Sequence, residues 1–261
     1  MLGAIIGDIV GSRFEFNNIR TKTFDLFGPG CGFTDDTICT CAVADAALHA
    51  TPYRDALLSW CHRYPNPIGA YGGSFARWLR SPNPQPYGSF GNGSAMRVSA
   101  VGWLFNTLDQ VLLQARLSAE PTHNHPEGIK GAQATAAAVF MLRRGASKSD
   151  IRALAETRFA YRLPRSVDAI RLHNTFDETC QVTVPQAIVC FLEGTSFEDT
   201  LRNAISIGGD SDTIGAIAGA LAEAHYGIPE SIAQQGLSYL DRPMLDILSQ
   251  FRHRLATPPL D

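Results

Sequence analysis

Two short stretches of the sequence concentrate oxygen-bearing side chains. FTDDT at 33–37 supplies Thr34, Asp35, Asp36 and Thr37, and GGDSDT at 208–213 supplies Asp210, Ser211, Asp212 and Thr213. Either could be a helix N-terminus, where Ser, Thr and Asp accept hydrogen bonds from free amides and carboxylates face the positive end of the dipole. A cap needs one oxygen, with Thr34 the natural candidate in the first cluster, and adjacent carboxylates repel one another unless a cation or strong donors neutralise them. Held together, the clusters offer four carboxylates and at least two hydroxyls. That donor set suits one or two hard divalent ions, Mg²⁺ or Mn²⁺, with water in the remaining positions.

The elements that must hold these residues read as helices. Apolar and small residues recur at helical spacing over 36–49 and 127–144, the latter closed by Gly145, while strand-like alternation is scarce. Further helices are expected over 2–12, 53–62, 94–105, 107–119, 148–158, 184–193, 197–207, 212–226 and 243–256, with loops at 16–33, 64–73, 81–93 and 159–181. Gly3, Gly7 and Gly11 near the N-terminus and Gly215, Gly219 and Ala222 in 212–226 line single helix faces, which lets neighbouring helices approach closely. Both oxygen clusters therefore head or adjoin buried helices. No internal repeat or composition shift marks a boundary, so the reading is all-α, one compact multi-helix domain over 1–261.

Composition narrows the partners. A net charge of −3 gives no general attraction for nucleic acid or anionic membrane, and the basic excess between Arg143 and Arg171 reads as a solvated helical surface. The start MLGAIIGDIVGS has no basic n-region, and no apolar run approaches the roughly 20 residues of a membrane span. A soluble, cytoplasmic, monomeric protein is expected. Six cysteines without a CxxC pair read as reduced, mostly buried thiols rather than a zinc site.

Other residues carry weaker signals. GNGSAMR at 91–97 places Gly91, Asn92 and Gly93 ahead of a helix beginning near Ser94, and a glycine-rich turn at a helix start presents free amides to phosphate. His125 belongs to the turn and cap of the next helix, and Asp8 to a structural hydrogen-bonding role on a buried one. Tyr87 and Phe90 could stack on a base, although core packing explains an aromatic more often. Glu15 reads by itself as a solvated loop acid.

Taken in order, GDIVGSRFE at 7–15, FTDDT at 33–37, GNGSAMR at 91–97, TH at 122–123 and GGDSDT at 208–213 resemble the ADP-ribosylglycohydrolase family, which includes the dinitrogenase reductase-activating glycohydrolases. The resemblance runs from residue 3 to about 226 and implies an all-α fold with two divalent cations, Mg²⁺ or Mn²⁺, in a cleft. It implies hydrolysis of the bond linking ADP-ribose to an acceptor, an ADP-ribosylated protein foremost, with nucleic acid a partner only as a modified substrate. Carried over by position, Thr34, Asp35, Asp36, Asp210, Asp212 and Thr213 are the implied metal ligands, with Ser211 pointing elsewhere. Gly91, Asn92, Gly93 and Ser94 are then where the diphosphate and nearby ribose lie, and His123 is similar to a ribose-contacting histidine. Glu15 matches a glutamate that in some members lies on a mobile loop over the metals, with the 16–33 segment as the cover. Proton transfer falls to Glu15, Asp36 or Asp210. Metal-dependent phosphoester hydrolysis and ADP-ribose binding without cleavage remain open on the same residues.

Overall fold

The computed structural model describes residues 1–257. In chain order the helices are α1 (Leu2–Ser12), α2 (Asp35–His49), α3 (Tyr53–Arg63), α4 (Gly73–Leu79), α5 (Gly93–Met96), α6 (Ser99–Leu104), α7 (Leu108–Ala119) and α8 (Pro126–Arg143). They continue as α9 (Lys148–Ala153), α10 (Val167–His173), α11 (Cys180–Glu193), α12 (Phe197–Ser206), α13 (Ser211–Tyr226), α14 (Glu230–Leu237) and α15 (Arg242–Ala256). Among the described residues no strand forms, and the isolated bridges pair Thr34 with Ile68 and Gly91 with Thr179. The fold is all-α, as the periodicity predicts.

Several elements depart from expectation. The helix expected over 94–105 is broken: Arg97 (φ −88°, ψ −7°) and Val98 (φ −88°, ψ −6°) leave helical geometry between α5 and α6. The 148–158 helix widens into a π-turn over Leu154–Arg158. α11 starts at Cys180 rather than 184, because Pro185 lies inside the helix instead of at its first turn. α10, capped by Ser166, lies inside the expected 159–181 loop. α4 follows Gly72 and α14 follows Pro229, and breaker residues hid both. The local stops behaved as read: His125 caps α8, whose end is followed by Gly145 at φ +92°.

α1 and α13 form the centre. Every residue of α1 is buried, as is α13 from Ser211 to Ala222, and such all-round burial is the mark of an interior helix. They cross antiparallel through their small residues. A Cβ on Gly3 would fall 2.3 Å from the Gly219 carbonyl oxygen, and one on Gly11 would fall 2.4 Å from the Asp212 Cα. This packing sets the C-terminal end of α1 against the N-terminus of α13. α12, α11 and α8 enclose α13, and α2 packs beside α1. All six cysteines are free thiols, and all but Cys31 are buried.

Candidate active site

α1 joins the two oxygen clusters. Asp8, fully buried, accepts hydrogen bonds from the Thr34 amide (3.0 Å), the Thr34 hydroxyl (2.8 Å), the Thr37 amide (3.1 Å) and the Thr37 hydroxyl. One carboxylate thus fastens α1 to the first turn of α2, in the structural role the sequence indicates. Burial raises the Asp8 pKa to about 6 against the pull of these four donors. One turn further along α1, the Gly11–Asp212 contact carries the chain to Glu15 beside α13.

Carboxylate oxygens of Glu15, Asp210 and Asp212 lie within 4.8 Å of one another. Thr213 Oγ1 donates to Asp36 Oδ1 at 3.3 Å, bringing the α2 cluster against the α13 cluster. Asp36 Oδ2 is buried without a hydrogen-bond partner. Asp35, Asp36 and Asp212 all have pKa values well above the carboxylate range, through burial first and the neighbouring acids second. Glu15 is raised to about 7 by burial and then by Asp210, Asp8 and Glu178. No Lys or Arg pairs with any of these acids among the described residues. Crowded carboxylates with an orphaned buried oxygen and no counter-charge fit a hard divalent cation. Capping explains less than expected: Thr34 caps α2 through the Asp36 amide (3.1 Å), but Asp210 makes no side-chain cap bond to α13.

The cleft above this cluster has a volume of about 320 Å³. Asp35, Asp36, Asp210, Asp212 and Thr213 line it, whereas Thr34 lies below, its hydroxyl engaged by Asp8 and the Asp36 amide, with one lone pair free. Ser211 turns away toward the Gly209 carbonyl. The glycine turn is partly committed. The Gly91 amide donates to Ser89 Oγ (3.1 Å) and the Asn92 amide to the Glu178 carbonyl (2.6 Å), while the Gly93 and Ser94 amides have no partner among the described residues. Asn92 Nδ2 donates to Thr183 Oγ1 (3.0 Å) and Asp210 Oδ2 (2.6 Å), and Ser94 Oγ donates to the Gly128 carbonyl (2.7 Å). The side chain of Asn92 therefore orients a carboxylate of the cluster, and that of Ser94 serves packing. His123 lines the cleft over the turn, with Cε1 and Nε2 each 3.3 Å from where a Gly93 Cβ would sit. Tyr87 lines the cleft near His123, while Phe90 packs on His125 at 5.2 Å between ring centroids.

Two contributors escaped sequence reading. Residues 69–75 wall the cleft beside Glu15, with Gly69 (φ +78°) and Ala70 (φ +68°) both left-handed. A Cβ on Gly69 would fall 2.8 Å from Glu15 Oε2, and the GAYGG run at 69–73 was the available signal. Glu178, whose pKa burial and Asp210 raise, also lines the cleft and follows no motif. The 16–33 segment is also more anchored than a cover would be. Asn18 donates to the Gly209 carbonyl (2.9 Å) and accepts from the Gly209 amide (2.7 Å), and Arg20 donates to the Ile207 and Asn174 carbonyls.

Known proteins resemble this chain over most of its length. Human ADP-ribosylhydrolase ARH3 is 28% identical, over 98% of this chain and 92% of its own length. ADP-ribosylarginine hydrolase Tri1 of Pseudomonas putida is 27% identical over 87% of this chain and 70% of its own. A solved structure, an ADP-ribosylglycohydrolase-related protein complex, shares the fold with a TM-score of 0.72 at 24% identity, covering 98% of this chain and 96% of that one. The ADP-ribosylglycohydrolase profile matches residues 1–257. The chain belongs to the ADP-ribosylglycohydrolase family, a family of hydrolytic enzymes.

Proposed function

We propose that the protein hydrolyses the glycosidic bond between ADP-ribose and an acceptor, an ADP-ribosylated protein foremost, using two Mg²⁺ or Mn²⁺ ions. The observation that carries this reading is the convergence of Glu15, Asp210 and Asp212 oxygens within 4.8 Å, beside the unpartnered Asp36 Oδ2. Asp35, Asp36, Asp210, Asp212, Thr213 and the free lone pair of Thr34 would hold the ions. When bound, such ions supply Lewis-acid charge that orients ribose hydroxyls and eases deprotonation of water.

The chain's own residues divide the remaining work. Asn92 holds Asp210 and Thr213 holds Asp36, so these carboxylates are positioned. The Glu15 carboxylate lines the cleft and has no hydrogen-bond partner among the described residues, which leaves it free to take a proton from the attacking water. The Gly93 amide would meet the diphosphate and His123 the adjacent ribose, both lining the cleft, whereas Ser94 is buried beneath it. The relatives named ADP-ribosylhydrolase and ADP-ribosylarginine hydrolase support the reaction class.

The test is a panel of arginine-, serine-, O-acetyl- and nucleic-acid-linked ADP-ribose, with products identified by mass, with and without chelator. Release of intact ADP-ribose only in the presence of Mg²⁺ or Mn²⁺ is expected. Release of phosphate or AMP would indicate phosphoester hydrolysis, and binding of every conjugate without product would leave a binding module.

A further inference from the structure

His123 stands at the end of a buried chain of hydrogen bonds. Arg97, 1% exposed, donates through NH2 to the Ser118 carbonyl (3.0 Å) and to Thr122 Oγ1 (2.9 Å). Thr122, itself fully buried, has its Oγ1 2.7 Å from His123 Nδ1. A guanidinium has donors and no acceptor, so the Arg97–Thr122 bond runs one way. The Thr122 hydroxyl hydrogen has no other acceptor among the described residues, and leaving it unbonded in the interior would cost about 1–3 kcal/mol. It must therefore point at Nδ1, which then carries no proton. The opposite arrangement, Nδ1–H donating to Thr122, would strand that hydrogen.

We propose that Arg97 and Thr122 form a one-way relay that fixes His123 as the Nε2–H tautomer, making it a hydrogen-bond donor to an oxygen of the substrate. Nε2 faces the cleft beside the 91–93 turn and has no partner among the described residues. Burial and the Arg97 charge both hold the His123 pKa well below the usual histidine value, so the ring stays neutral and Nδ1 remains an acceptor. Thr122 and Arg97 are positioning residues: they act on the substrate through His123. The substrate oxygen, on ribose or phosphate, rests on the proposed function; the tautomer does not.

The experiment is long-range ¹H–¹⁵N NMR of the full chain with ¹⁵N-labelled histidine and Mg²⁺ at pH 7, the His123 signals being assigned by their loss in His123→Asn. The expected spectrum shows protonated Nε2 and unprotonated Nδ1, with the Nε2–H signal shifting on addition of ADP-ribose. Thr122→Val should mix the tautomers and weaken ADP-ribose binding about tenfold, the equivalent of one lost hydrogen bond, and Thr122→Ser should restore both. An Nδ1–H or doubly protonated ring in the parent protein would overturn the relay. So would a Thr122→Val variant that folds with the parent spectrum. A correct tautomer with no ADP-ribose binding would uphold the relay while refuting the proposed function, and ADP-ribose bound without a shift at Nε2–H would overturn the donor role.

Discussion

Gly7 of α1 and Gly215 of α13 meet backbone to backbone: a Cβ on Gly7 would fall 2.0 Å from the Gly215 carbonyl oxygen. Neither helix can retreat without moving its carboxylate, because Asp8 lies next to Gly7 in α1 and Asp212 one turn before Gly215 in α13. Gly7→Ala should therefore destabilise the fold by about 1–2 kcal/mol net, overpacking near the top of its usual range outweighing the roughly 1 kcal/mol of helix propensity that alanine adds. Divalent-cation affinity should fall with it. Calorimetric unfolding beside a Mn²⁺ titration checks both, and an unchanged melting temperature would mean the crossing is loose.

Gly69 places a positive-φ backbone against the Glu15 carboxylate. Gly69→Ala adds a methyl group at that contact and about 1–2 kcal/mol of left-handed strain. Glu15 should shift, and single-turnover cleavage should slow about tenfold or more while ADP-ribose affinity holds, since misplacement near 1 Å can cost about 100-fold. A parent-like rate would show that Glu15 needs no support from this wall.

Much of this arrangement is legible in the sequence. The clusters TDDT and DSDT announce themselves because they put more oxygen at helix starts than capping uses, and Gly3, Gly7 and Gly11 mark a close crossing because their spacing repeats on one face. What pairs those glycines with Gly215 and Gly219 is tertiary contact, which spacing alone does not name. Asn92 reads as part of a phosphate turn and instead reaches Asp210, since an amide side chain serves either purpose equally well. Glu178 and Gly69–Phe75 stayed hidden because they reach the cleft from loops and from the first turn of the short helix α4, which are too short to show a period. Pro185 misplaced the start of α11, its breaker signal overridden by packing.

The cluster should also make the metal-free protein sensitive to alkali. Asp35, Asp36, Asp212 and Glu15 have folded pKa values above their unfolded ones, so the folded chain retains protons that the unfolded chain has released. Their contribution is greatest below the unfolded values near pH 4 and is lost as pH rises, Asp8 near 6 and Glu15 near 7 marking part of the window. In chelator, raising pH from about 5.5 to 8 should lower the melting temperature of the parent relative to Asp36→Asn/Asp212→Asn, a comparison in which histidine contributions cancel. Saturating Mg²⁺ should remove the parent's loss. Parallel curves in chelator would mean the acids are not crowded as described.

Glu15→Gln keeps the side-chain shape and removes the proton-accepting charge. Single-turnover cleavage should fall about 100-fold or more, with ADP-ribose affinity and helical content near parental. Cleavage at the parent rate, with metal occupancy equal on the same samples, would move the proton chemistry to Asp36 or Asp210.

The most direct measurement is calorimetric titration of Mn²⁺ into metal-free parent protein and Asp212→Asn, with circular dichroism on the same samples. If the carboxylates at the heads of α2 and α13 form a cation site, the parent binds Mn²⁺ and releases protons on doing so, because raised carboxylates must ionise to ligate. Asp212→Asn should then bind about tenfold or more weakly, since even loss of an outer-shell partner costs about 10–100-fold, with unchanged helicity. Equal affinity in the two proteins, or no Mn²⁺ binding by a folded parent, would contradict the account and return these residues to capping and packing.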